Sequence, residues 1–165
     1  MKALSRALFL ALIAFAVSGP VRAQEWQTYR NTRFGTRVEV PASFRAGDEP
    51  VYGKGRKFYA PDGSGVIHVY GEFNATGGDL AHYRRLMSCG FIDAEWHFET
   101  LTHGDNWYDM EVSGKDERLH IHVEHGKGCD STLLHHIEFR FRTEDAASWK
   151  SIIEHGVRSL SAPCR

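Results

Sequence analysis

The chain has 165 residues, 42% of them hydrophobic and 12% aromatic, with 20 Lys and Arg against 21 Asp and Glu. That length and mix suit one globular domain able to bury a sizeable core. The near balance of charge, with no clustered basic tract, excludes the electrostatic footprint of a nucleic-acid-binding domain.

Met1–Ala23 has the three parts of a secretory signal: Lys2 and Arg6 at the start, an apolar run over Ala7–Val17, and Val21-Arg22-Ala23 at the cut. The eleven-residue run is shorter than the roughly 20 residues a membrane-spanning helix needs. Cleavage between Ala23 and Gln24 is expected to release a soluble periplasmic product, residues 24–165, with no transmembrane segment. Its seventeen basic and twenty-one acidic residues give a net charge of −4, and all ten histidines stay with it.

Past the leader, Val38 and Val40 alternate with Arg37 and Glu39, the period of a half-buried strand between Gly35 and Pro41. Trp26, Tyr29, Phe34 and Phe44 supply aromatic area around it. Lys57–Ala60 and Val66–Gly71 read as strands joined by the turn Pro61-Asp62-Gly63-Ser64. Asp79 is placed to cap a helix with Leu80, Tyr83 and Met87 on one face, which Gly90 ends in the left-handed conformation. Three turn signals, at His103-Gly104-Asp105, Gly114-Lys115-Asp116 and Gly126-Lys127-Gly128, separate strand-like runs over Glu95–Leu101, Trp107–Val112, Arg118–Glu124 and Thr132–Arg142. Thr143 then caps a last helix with the apolar stripe Trp149, Ile152, Ile153, Val157 and Leu160. Consecutive strands with helices to one side describe an α+β sandwich, an antiparallel sheet of about six or seven strands with two helices packed on it.

The opening stretch, with Trp26, Tyr29, Asn31, Arg33, Phe34, Gly35, Pro41 and Phe44 in their spacing, resembles small exported bacterial proteins of uncharacterised role with a PsbP-like α+β domain. Phe58, Asp62-Gly63, Gly71, Asn74 and Asn106-Trp107-Tyr108 extend the likeness more weakly. Thr36 and Val40 depart from it, because the pattern favours aromatics there. The resemblance implies a PsbP-like sandwich over the mature chain and brings no catalytic residues with it.

Cys89, Cys129 and Cys164 would meet an oxidising compartment, so a disulfide is expected. The final helix, returning along the last strand, brings Cys164 back to the level of Cys129, which favours a Cys129–Cys164 bridge with Cys89 free. A Cys89–Cys129 link would require another topology.

One constellation could carry chemistry. His120 and His122 share a strand face opposite Leu119, Ile121 and Val123, and a turn centred near Cys129 would set His122 across from His136 and His120 across from Glu138. His120, His122 and His136 could then hold zinc with an open fourth position, or copper or nickel. A one-residue slip would part them and leave a polar sheet surface. His68, His82, His97, His103 and His155 read as scattered surface residues. No nucleophile elbow, phosphate loop or His-Glu-x-x-His helix is present. The expectation is therefore a non-enzymatic module, with no cofactor, that binds a protein or envelope partner. A metal-binding protein is the alternative.

Overall fold

The computed structural model describes residues 23–90, 95–126 and 132–163. Strands β1 (Trp26–Arg30) and β2 (Arg37–Pro41) form a separate antiparallel hairpin. The main sheet holds β3 (Arg45–Ala46), β4 (Gly55–Tyr59), β5 (Gly65–Phe73), β6 (His97–His103), β7 (Trp107–Ser113), β8 (Glu117–His125) and β9 (Leu133–Arg142). Its order is β3-β4-β5-β9-β8-β7-β6, antiparallel throughout. Helix α1 (Leu80–Cys89) follows β5, and α2 (Ala146–Ser159) follows β9 through a short 3-10 turn at Thr143–Asp145. Among the described residues no helix is long and apolar enough to cross a membrane.

The local signals hold at most positions. Asp79 accepts the His82 backbone N–H at 2.8 Å and caps α1. Gly63 has φ +71° in the turn between β4 and β5, where Asp62 Oδ1 accepts the Ser64 N–H. Two end signals are corrected. Gly90 is right-handed, φ −66°, because its N–H continues the helical ladder to Leu86 and Met87. Thr143 begins the 3-10 turn and caps nothing.

The helices lie on opposite faces of the main sheet, where the sequence placed both on one side. Under α2 and the β1–β2 hairpin, Val38, Val40, Ile67, Val69, Ile137 and Phe139 form one core with Trp149, which stacks on Phe141. Under α1, Tyr83 joins Met110, Val112, Ile121, Val123 and Leu134 in a second. The reason lies between β8 and β9. His122 pairs with Ile137 and Val123 with His136, one residue out of the expected register. Each strand therefore gives its apolar residues to a different face, Ile121 and Val123 to α1, Ile137 and Phe139 to α2.

The recognisable opening stretch builds a clamp. Asn31 is fully buried; its Oδ1 accepts the Phe34 N–H at 2.7 Å and its Nδ2 donates to the Gly53 carbonyl at 2.8 Å. Gly35 supplies φ +76° for the same turn and donates to the Asn31 carbonyl. Thr36 in turn hydrogen-bonds His135 Nδ1 at 2.7 Å, and the pair is enclosed in the core beside Gly71. Thr36 Oγ1 lies only 3.0 Å from where a Cβ on Gly71 would stand, and both Thr36 and His135 are fully buried, so the space favours a small Thr at position 36 over a ring.

Candidate functional site

The β8–β9 register sends the expected histidine set to two sides of the sheet. His120 and His122 face α2; His136 faces α1. No group of three or more His, Cys, Asp or Glu residues among those described is arranged to hold a metal ion, so His120, His122 and His136 are not the common site that the assumed turn produced. Residues 127–131 of the turn and both cysteines of the expected bridge, Cys129 and Cys164, lie outside the described residues, as do residues 1–22 of the leader. Cys89 is free and exposed at the last residue of α1.

On the α2 side the organising group is Asp109, which sequence reasoning did not single out. It lies opposite His122 in the β7–β8 ladder. Its Oδ1 meets His122 Nδ1 at 2.9 Å and His120 Nε2 at 3.0 Å, while His122 Nε2 meets Glu124 at 3.2 Å. Burial alone would depress the His122 pKa, but hydrogen bonds and charge from Asp109 and Glu124 outweigh it and raise the value to about 9. Burial likewise works against the Asp109 carboxylate, yet the two imidazoles hold its pKa down at about 2. His122 is thus an imidazolium with both N–H groups engaged, and a metal there would have to displace a tightly held proton. The alternation Trp107–Val112 could have found Asp109, since it places that carboxylate opposite the face of Tyr108 and Met110.

On the α1 side the polar residues of β5 and β9 meet. Tyr70 O–H donates to Glu138 Oε1 at 2.6 Å, and Tyr83 O–H donates to Glu72 Oε1 at 2.7 Å. The His136 ring stacks on Tyr70 with centroids 4.3 Å apart, and its Nε2 points toward Glu72 Oε1 at 3.6 Å, beyond hydrogen-bond length. Complete burial drives the His136 pKa down to about 3, so the ring is neutral. Burial, then the Glu138 and Glu72 charges, push the Tyr108 phenol up. His136 Nε2 and Tyr108 O–H are both buried without a hydrogen-bond partner.

Two of the scattered histidines also have definite places. His68 lies 3.6 Å from Glu138 at the edge of this cluster. His155 stacks on Trp26 with centroids 3.6 Å apart and bonds Glu39 at 2.7 Å, tying α2 to the β1–β2 hairpin.

The fold has relatives among solved structures. The solution structure of cyanobacterial PsbP (CyanoP) from Synechocystis matches 90% of this chain and 99% of its own at 14% identity, with a TM-score of 0.60. The Ran-binding protein Mog1p of Saccharomyces cerevisiae matches 85% of this chain and 96% of its own at 12% identity, with a TM-score of 0.57. The fold is PsbP-like. No protein-family model and no curated protein matches the chain. At such identities the likeness speaks to architecture and leaves function to the site.

Proposed function

We propose that the chain is an exported periplasmic binding module without catalytic activity, which docks a protein partner through the β3–β4 loop. The observation that carries this is the tip of that loop. Val51 is 98% exposed and Tyr52 74%, yet the backbone beneath them is fastened down. The Gly53 N–H closes a turn on the Pro50 carbonyl at 2.7 Å, with φ +60° at Gly53. Asn31 holds the Gly53 carbonyl, and Arg33 donates to the Tyr52 carbonyl at 2.5 Å. An apolar tip held out on a braced loop loses little entropy on docking, which is what a recognition loop on a rigid scaffold requires.

The shared fold of a Ran-binding protein supports the general reading, and the signal-like Met1–Ala23 supports export. The test combines both. The periplasmic fraction should contain a protein whose measured mass begins at Gln24. A photo-crosslinking residue at Asp48 should trap a discrete partner that the double variant Val51→Asp, Tyr52→Ala no longer traps, at unchanged melting temperature. Identical crosslinks from wild type and variant would remove the reading.

A further inference from the structure

We propose that the α1 face carries a binding site for an organic cation, a guanidinium or alkylammonium group, framed by Glu72, Glu138, Tyr83, Tyr108 and His136. Two groups on this face are unsatisfied, His136 Nε2 and Tyr108 O–H, each on a residue only 1% exposed. Leaving a buried polar atom unpaired costs about 1–3 kcal/mol, so two such atoms on one face ask for a partner.

The surroundings specify what kind. Glu72 and Glu138 stand at the rim with side chains 28% and 24% exposed, able to meet a ligand arriving from solvent. Each has one oxygen committed to a tyrosine, through Tyr83 O–H and Tyr70 O–H. His68 lies 3.6 Å from Glu138 Oε2, and Arg84 on α1 influences the Tyr108 phenol but forms no ion pair with either carboxylate among the described residues. A ligand here would therefore meet carboxylates, phenol oxygens and a neutral imidazole, a set rich in acceptors and net negative. A water molecule could bond to His136 and Tyr108 but brings no positive charge to set against the two carboxylates. An anion would be repelled, and no metal-holding cluster is found among the described residues. A guanidinium or ammonium group brings N–H donors together with positive charge.

Such a group could belong to a free small amine or to a basic side chain of a protein, and two probes separate these sources. Residues 24–165 would be titrated with N-acetyl-arginine methylamide and with a short arginine-bearing peptide, each followed by calorimetry. Saturable one-to-one binding is expected, weakened at least tenfold in Glu72→Gln and in Glu138→Gln, and unchanged in Glu154→Gln on α2. Comparable affinity for both probes points to a free cation; a markedly tighter peptide points to a protein side chain. The wild type supplies a readout that does not depend on variants folding: the His136 imidazole and Tyr108 ring resonances should shift on titration. Absence of saturation by either probe, motionless His136 resonances, or affinity indifferent to both carboxylate variants would overturn the proposal.

Discussion

Two polar clusters sit back to back on one sheet, and they solve the burial of histidine in opposite ways. On the α2 side His122 is charged and enclosed between Asp109 and Glu124, so both of its ring N–H groups have an acceptor. On the α1 side His136 is neutral and stacked on Tyr70, with Nε2 unmet. Neighbouring carboxylates are present in both cases; the difference is whether one of them comes within hydrogen-bond distance. The closed cluster is an internal fastening of β7 to β8. The open one retains binding capacity, which is why the proposed site is there.

The sharpest way to break this comparison is pH. A histidine whose folded pKa falls from 6.5 to about 3 keeps its full contribution to stability above pH 6.5 and loses it as pH falls toward 3. His136 should therefore give a slope approaching about 1.4 kcal/mol per pH unit on the acid side. His122 has the opposite sign. Its contribution is complete below pH 6.5 and is lost as pH rises through about 9, while that of Asp109 survives until pH falls below 3.8 toward about 2. NMR titration of the two imidazoles should show His122 still protonated at pH 8 and His136 still neutral at pH 5. Similar midpoints would erase the distinction.

Asp109→Ala should be the most damaging single change in the closed cluster. It leaves the buried imidazolium with Glu124 as its one carboxylate partner, at a cost of about 2–3 kcal/mol after allowing for partial exposure of the carboxylate. Urea unfolding measures it, and the His122 midpoint should fall at the same time. In the open cluster Tyr70→Phe removes the 2.6 Å bond to Glu138 and should cost about 1.5 kcal/mol, with the apparent pKa of Glu138 rising. A loss as large as that for Asp109→Ala would make the α1 face a fastening like its counterpart. The smallest effect is reserved for a bond belonging to neither cluster. Thr36→Val keeps the volume, deletes the hydroxyl on His135 and should destabilise the protein by about 1 kcal/mol.

Much of this was legible because period-two alternation fixes relative faces within a strand. That is enough to set His120 and His122 together and to oppose them to Ile121 and Val123. The alternation also implied the β6–β9 meander, and cap chemistry implied the start of α1 at Asp79. Alternation within a strand carries no information about which residue of the next strand lies opposite. The slip of one residue between β8 and β9 therefore moved His136 to the other face. Alternation along β7 sets Asp109 on the face opposite Tyr108, but the partners that give the two residues their roles come from strands brought beside them.

The α+β class, most strand positions and the placing of His120 beside His122 on one face of β8 were readable from the chain, because they follow from local periodicity and turn chemistry. Tertiary structure alone decided that β9 lies between β5 and β8, that the helices take opposite faces, and that one histidine is charged while another is neutral. Those outcomes depend on burial and on the distance to a carboxylate from another strand, and both are properties of the packed sheet.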